Sequence, residues 1–274
     1  DRLALWSYLV RRQTSDYPSG TFSSTFSAAL DAQYRERLRS EALFRNDLYL
    51  TLVWHPGRAT TDAAAAFFKR LGRASRRSVE VDSEALKRLD DAKRDVVAAL
   101  ERYDARVVGL VDRDGIVFSE PMELLHAVTS GEWMPMPLPQ GPIGPALYSN
   151  RIIFGREALE IRSAGGSRFA GMFGIKEYPA STRPGLLNAL LSAPFELILT
   201  QSFAFLSKAD AKTVLTRKQN QLVSAQDPAA SQIDELSDAL DDLESNRFAL
   251  GDHHLSLLLS ADTASQLQGH MSVA

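Results

Sequence analysis

The sequence predicts an α+β (mixed α/β) fold, with antiparallel or mixed sheets packed against helices. Short apolar and β-branched stretches, such as residues 48–54, alternate with amphipathic segments of helical period, such as residues 82–103. Two further helical stretches, 210–226 and 231–248, are separated by an Asp-Pro pair, which predicts a long helical hairpin near the C-terminus. Each half of the chain is compatible with a ferredoxin-like subdomain whose helices cover one face of a sheet.

The N-terminal region is predicted to form a strand or short helix, a long helix and a second strand. Residues 3–10 are apolar, and a helix with a serine N-cap at position 23 or 24 is predicted to continue through Phe44. The strand at 48–54 ends at a His-Pro-Gly sequence, because proline and glycine interrupt regular pairing. The apolar face of the long helix consists of Phe26, Leu30, Tyr34, Leu38 and Leu43.

A β-hairpin is predicted in the middle of the chain. Residues 107–111 and 116–118 are apolar and flank Asp114-Gly115, a dipeptide typical of a tight hairpin turn. Asp112 and Asp114 are therefore interpreted as turn residues rather than as a pair of catalytic carboxylates. The helices on either side of this hairpin are predicted at 62–71, 82–103 and 121–129.

A proline-rich stretch at 133–147 separates the two halves of the chain. Four prolines between residues 135 and 142 exclude a helix and a central strand there. One interpretation is a linker between an N-terminal α/β subdomain, 1–132, and a second α/β subdomain, 148–274. The other is an ordered surface loop within a single domain, and the sequence leaves both open.

The C-terminal part is predicted to contain strands on both sides of the helical hairpin. A Gly-Arg turn at 155–156 predicts a hairpin between two short strands. The predicted strands lie at 151–154, 158–162, 168–178, 195–206 and 255–259, with a short helix at 186–191.

Composition excludes several classes of protein. The 274 residues are 45% hydrophobic, enough for one large or two modest globular domains. The formal net charge of −3 is not that of a strongly basic nucleic-acid-binding domain. The absence of cysteine excludes disulfides, thiol nucleophiles and cysteine zinc sites, and no apolar run approaches the roughly 18 residues of a membrane span.

The sequence holds no recognisable catalytic, cofactor or metal site. A phosphate-binding P-loop requires Gly-x-x-x-x-Gly-Lys-Ser/Thr, and the nearest approach, Gly166 to Gly171, is followed by Met172. These glycines are interpreted as interruptions of a strand. The adjacent His253 and His254 are expected to point to opposite faces of a strand, and His55 and His126 are expected at the surface or in loops.

One segment has local electrostatic character. Its cations could contact phosphates of nucleic acid or an anionic membrane surface, which makes a nucleic-acid-binding module the alternative function. The competing interpretation is a solvated loop that pairs with the acidic helix at 231–248, in the same subunit or in an adjacent one. The cations of this segment are Lys69, Arg70, Arg73, Arg76 and Arg77.

Several runs, taken in order, resemble one known family. Val10-Arg11-Arg12, Tyr17-Pro18-Ser19-Gly20 and the run 44–53 (FRNDLYLTLV) come first, followed by Trp133 with its proline-rich run. Later come 147–155 (LYSNRIIFG), 175–179 (IKEYP), 203–206 (FAFL) and 253–259 (HHLSLLL). With this order and spacing, the chain resembles the N-terminal domain of the CagE/TrbE/VirB family of type IV secretion and conjugal transfer ATPases.

The resemblance implies a docking and assembly role. In the family, ATP and Mg²⁺ are used by a P-loop ATPase domain that lies C-terminal to this region, so the chain is expected to be a domain of a longer, ATP-hydrolysing protein. The resemblance implies a peripheral location at the cytoplasmic face of the bacterial inner membrane. It also implies partners: the chain's own C-terminal ATPase domain, a small inner-membrane secretion subunit and other secretion components, and further copies in a homo-oligomer, expected to be a hexamer.

Overall fold

The computed structural model describes residues 2–15, 20–39, 41–55, 83–179, 181–224 and 230–274. Within these ranges the fold contains a seven-stranded sheet and a separate two-stranded hairpin. The strands of the large sheet are β1 (Arg2–Thr14), β2 (Leu43–His55), β5 (Arg151–Phe154), β6 (Leu159–Ser163), β7 (Gly166–Gly174), β8 (Glu196–Phe205) and β9 (Gly251–Ala261). The hairpin consists of β3 (Leu110–Arg113) and β4 (Ile116–Ser119).

The order of strands in the large sheet is β2-β1-β8-β9-β7-β6-β5. Strands β5, β6 and β7 form an antiparallel meander, and β7 pairs antiparallel with β9, with Gly171 opposite Leu259. The helices of the described ranges are α1 (Thr25–Leu38), α2 (Ser83–Ala99), α3 (Glu120–Ser130), α4 (Ile143–Leu147), α5 (Lys208–Ser224), α6 (Ala230–Glu244) and α7 (Ala264–Val273).

The predicted α+β class with antiparallel pairing is confirmed, as is the helical hairpin, which is formed by α5 and α6. The predicted turn between β3 and β4 is also confirmed. Asp114 and Gly115 have φ angles of 55° and 81°, which suits the Asp-Gly pair of a tight hairpin, and the Gly115 amide donates to Oδ1 of Asp112 at 3.0 Å. The resemblance of each half to a ferredoxin-like unit stays a prediction.

The predicted boundaries of α1 and β2 are wrong. Helix α1 begins after the N-cap Ser24, as predicted, but it ends at Leu38, and Leu43 and Phe44 already belong to β2. The sequence favoured a later start for β2 because Arg45, Asn46 and Asp47 are polar. Hydrogen bonds from β1 hold the side chains of Asn46 and Asp47, so tertiary contacts override the local preference.

Two compact units can be distinguished in the chain. Unit 1 comprises Asp1–Trp6, Leu50–Arg106 and Ser202–His254, and unit 2 comprises Ser7–Tyr49, Val107–Gln201 and Leu255–Ala274. The proline-rich stretch 133–147 lies within the residues of unit 2. The division of the chain into subdomains at this stretch stays a prediction.

The hydrophobic core of unit 2 lies between its central strands and the last helix. Leu197 on β8, Leu259 on β9 and Leu267 on α7 are each at most 1% exposed. Helix α7 approaches β7 closely at Gly171, where a Cβ atom would lie 2.6 Å from the Sδ atom of Met271 and would push that side chain aside. In unit 1, α5 and α6 bury Ala211 and Leu243, and Ile233, Leu236 and Leu240 of α6 are half-buried, as expected for the apolar face of an amphipathic helix.

Candidate interaction surface

The cations of the predicted basic segment, Lys69, Arg70, Arg73, Arg76 and Arg77, lie outside the described residues. Their contact with phosphate, lipid or a protein partner stays a prediction.

Two of the runs that carry the family resemblance meet side by side in unit 2. Arg11 on β1 donates from Nη1 to Oδ1 of Asn46 on β2 at 2.9 Å. The next residues, Arg12 and Asp47, form an ion pair with 3.1 Å between Nε and Oδ2. Neighbouring positions on the two strands therefore pair through their side chains, which explains why these polar residues lie in a sheet.

Arg11 is a buried cation, and its hydrogen-bond partners among the described residues carry no formal charge. Its Nε donates to the backbone oxygen of Ala193 at 2.7 Å and Nη1 to that of Leu191 at 2.9 Å, and its guanidinium lies 4.6 Å from the centroid of Phe44. Burial lowers the pKa of Arg11 below its ordinary value, because desolvation disfavours the charged form. The planar guanidinium can satisfy several acceptors at once, so Arg11 ties β1 and β2 to the segment that precedes β8.

Trp133 packs against the same pair of strands. The guanidinium of Arg12 lies 5.1 Å from the centroid of the Trp133 ring, and the ring of Tyr49 stacks on Trp133 at 5.8 Å with an angle of 24°. These distances allow cation–π and stacking interactions. The start of the proline-rich stretch is thereby attached to the strands that carry the other family-like runs.

Helix α1 of unit 2 presents several large apolar side chains to solvent. Phe26, Leu30 and Tyr34 follow one another at intervals of four residues and therefore share one face of the helix. Their exposed fractions are 76%, 56% and 49%, and no residue of α1 is buried. Such a face normally packs against a core, so sequence periodicity located the face but not its exposure. This exposure is the property that sequence analysis missed.

Both edges of the large sheet also present apolar side chains. Leu48 on β2 is 77% exposed, and Phe154 on β5 is 79% exposed. These strands are the first and last in the sheet order. Exposed apolar groups on helices and sheet edges are typical of protein–protein contact surfaces.

His126 corrects one prediction. It was expected at the surface or in a loop, but it lies on α3 and is fully buried, with Nδ1 3.1 Å from the backbone oxygen of Leu147. The helical repeat places it on the same buried face as Met122. His253 and His254 lie next to each other on β9. No three His, Asp or Glu side chains come together as metal ligands in the part of the chain that the structure describes.

The glycine-containing run nearest to a P-loop is the strand β7, as interpreted from the sequence. A phosphate loop requires a strand, a loop and a helix in succession, and this segment instead pairs with β6 and β9 along its length. The described helices are each too short or too polar to cross a lipid bilayer.

The family comparison agrees with the resemblance seen in the sequence. Residues 106–274 match the CagE, TrbE, VirB family, described as a component of the type IV transporter system. Residues 1–61 match the N-terminal domain of the type IV secretion system ATPase VirB4/TrbE. The first match alone covers more than half of the chain.

The similar proteins are longer than this chain. The type IV secretion system protein virB4 of Bartonella quintana (strain Toulouse) is 47% identical over 274 residues, which are 100% of this chain and 35% of that protein. Protein virB4 of Agrobacterium fabrum (strain C58 / ATCC 33970) is 39% identical over 269 residues, 97% of this chain and 34% of that protein. The type IV secretion system protein virB4 of Brucella suis biovar 1 (strain 1330) is 32% identical over 281 residues. The alignment covers 100% of this chain and 34% of that protein.

The chain thus spans about a third of the length of the curated relatives it matches. The runs that suggested the resemblance all lie within these two matched ranges. The predicted family membership is confirmed, and the chain belongs to the CagE/TrbE/VirB family of type IV transporter components.

Proposed function

We propose that this chain is a non-catalytic docking and assembly domain of a type IV secretion ATPase. ATP and Mg²⁺ would be used by a P-loop domain elsewhere in the longer protein, and this domain would attach that motor to the secretion apparatus. The proposal is supported by the family match and by a sequence without a P-loop motif.

The observation that carries the proposal is the exposed apolar face of α1. Helix α1 has no buried residue, and Phe26 and Leu30 face solvent on it. Binding of a partner to this face would remove their apolar surface from water. A small inner-membrane subunit of the same secretion system is the proposed partner of this face. The exposed side chains on β2 and β5 would be available for other secretion components.

The docking role implies a location and an assembly state. The longer protein would lie at the cytoplasmic face of the bacterial inner membrane and be held there through its partners. It would work as a homo-oligomer, proposed to be a hexamer, during transfer of DNA or protein or during assembly of the apparatus.

A binding experiment tests the proposed surface. The purified chain would be captured with the detergent-solubilised inner-membrane subunit, and the affinity compared for the parent chain and for a Phe26→Gln, Leu30→Gln double variant. We expect at least a tenfold loss, because the substitutions remove the apolar area buried on binding. The matched control is Ala28→Gln with Ala32→Gln, which adds two glutamines to other exposed positions of the same helix. Equal affinity for all three chains would remove the basis for assigning this face.

A second experiment tests the absence of catalysis. ATP binding and hydrolysis would be measured for this chain and for the full-length protein that contains it. We expect activity only in the longer protein, since the chain lacks the lysine and backbone cradle of a P-loop. Hydrolysis by the chain alone would refute the non-catalytic assignment.

A further inference from the structure

The helical hairpin of unit 1 separates opposite charges onto its two helices. Helix α6 contains no Lys or Arg, and α5 contains the single acidic residue Asp210. The cations of α5 are Lys208, Lys212, Arg217 and Lys218, and the carboxylates of α6 are Asp234, Glu235, Asp238, Asp241, Asp242 and Glu244. A hairpin of this kind is electrostatically complementary to a second copy of itself.

Only one end of the hairpin uses this complementarity internally. Glu244 pairs with Lys212 at 2.7 Å and with Lys208 at 3.3 Å, and these contacts lower the pKa of Glu244 and raise that of Lys212. Arg217 and Lys218 have no ion-pair partner within the described ranges. The same holds for the exposed carboxylates of Asp234, Glu235, Asp238 and Asp241.

Helix α5 also has an exposed face on which another helix could pack. A shallow, open groove along one face of the helix is lined by Thr213, Thr216, Arg217, Asn220 and Gln221, among others. Beside it, Val214 and Val223 are exposed. The surface thus combines a cation, hydrogen-bonding side chains and apolar groups, which suits a helix whose exposed side is acidic.

We propose that two copies of the chain associate through their α5–α6 hairpins around a two-fold axis parallel to the helices. The acidic face of α6 in each copy would lie against the α5 groove of the other. A two-fold arrangement forms every contact twice and satisfies both charged faces at once, and it gives the four-helix geometry in which antiparallel helices pack well. The inference rests on the proposed assembly role only in that copies of the chain are taken to associate.

The register of the hairpin specifies which residues would meet. Gln219 donates to Ser237 at 2.8 Å, and Lys212 pairs with Glu244, so the antiparallel helices are aligned in height at these two positions. The same register places Arg217 between the heights of Asp238 and Asp241. A two-fold axis parallel to the helices preserves height, so Arg217 in the α5 groove of one copy would face the carboxylates at 238 and 241 of the other.

Charge-reversal variants of the whole chain test this interface. Dimerisation would be measured by sedimentation at low and high salt for the parent, for Arg217→Glu, and for Asp238→Lys with Asp241→Lys. We expect a dimer that weakens with added salt, and at least tenfold weaker self-association for each variant at low salt, because like charges then face each other. The control, Arg156→Glu with Arg183→Glu, reverses two exposed cations of unit 2 and should dimerise like the parent.

An equimolar mixture of the two hairpin variants provides the decisive measurement. Each contact between two such copies again joins opposite charges, so the mixture should form a heterodimer with near-parental affinity. Circular dichroism of each variant would establish that the chains remain folded. A parent chain that stays monomeric, or a mixture that shows no recovery, would overturn the inference. Retained binding of the inner-membrane subunit in that case would leave the proposed docking function intact.

Discussion

Arg11 and Ala193 are joined by a hydrogen bond of 2.7 Å although they are 182 residues apart in the sequence. The bond attaches β1 to the segment just before β8, the strand beside it in the sheet. The same guanidinium also holds Asn46 and the backbone oxygen of Leu191. One side chain therefore fixes three separate parts of unit 2.

Replacing Arg11 should destabilise the fold strongly. Arg11→Ala leaves the oxygens of Asn46, Leu191 and Ala193 without their charged donor, which should cost about 2 to 4 kcal/mol in the free energy of unfolding. Arg11→Lys should recover only part of this loss, since an ammonium group lacks the planar fork. Urea denaturation measures both values. Arg156→Ala, at an exposed position, serves as the control, and a similar loss there would show that the contacts of Arg11 are not responsible.

Leu259 and Leu48 provide a matched comparison of core and edge. Leu259 on β9 is 0% exposed, so Leu259→Ala should lower the free energy of unfolding by about 2 to 5 kcal/mol through lost burial and a residual cavity. Leu48 on β2 is 77% exposed, and Leu48→Ala should change the free energy of unfolding by less than about 0.5 kcal/mol. Thermal and urea unfolding of the two variants would check this contrast. Equal destabilisation would mean that Leu48 is covered in solution.

The Lys212–Glu244 pair should give stability a defined pH window. The pKa of Glu244 is lowered from 4.5, mainly by its hydrogen bond from Lys212, so its contribution is complete above pH 4.5 and is lost as the pH falls through the lowered value. The pKa of Lys212 is raised from 10.5 by Glu244, so its contribution is complete below pH 10.5 and is lost as the pH rises further. The difference in unfolding midpoint between the parent and Glu244→Gln should therefore be constant between these limits and shrink outside them. A difference that vanishes near neutral pH would contradict the pairing.

The basic segment supports a separate prediction about nucleic acid. If its cations contact phosphates, changing Arg73, Arg76 and Arg77 to Ala should weaken DNA binding and reduce the slope of log affinity against log salt by about 2 to 3. Fluorescence anisotropy with a labelled oligonucleotide over a salt series measures both. Arg151→Ala, Arg156→Ala and Arg183→Ala together remove the same charge elsewhere. Identical salt slopes for the two triple variants would exclude a specific role for the segment.

Local signals in the sequence predicted those elements whose ends are marked chemically. Asp114-Gly115 fixed the β3–β4 turn because both residues adopt positive φ angles readily, and the break at 227–228 separated α5 from α6. The start of β2 was misplaced because Asn46 and Asp47 are held in the sheet by Arg11 and Arg12. Residues 35 positions apart form these pairs, so the propensity of the local sequence cannot predict them.

The candidate surface was only partly predictable for a related reason. The four-residue spacing of Phe26, Leu30 and Tyr34 indicated an apolar helical face, but periodicity is the same whether a face packs internally or is left for a partner. The burial of His126 was missed because it depends on the packing of α3 within the fold. The strand order, which places β1 beside β8, has no local signal at all.

That strand order has a consequence for synthesis of the protein on the ribosome. Strand β1 is made before the other described strands, yet its neighbour β8 begins only at Glu196. At roughly 5 to 20 residues per second, the 182 residues between Arg11 and Ala193 take about 10 to 40 s to translate. During this interval β1 has one unpaired edge, and the core around Leu9 cannot close. The nascent chain therefore exposes this strand edge and the apolar side chains around Leu9 until β8 emerges.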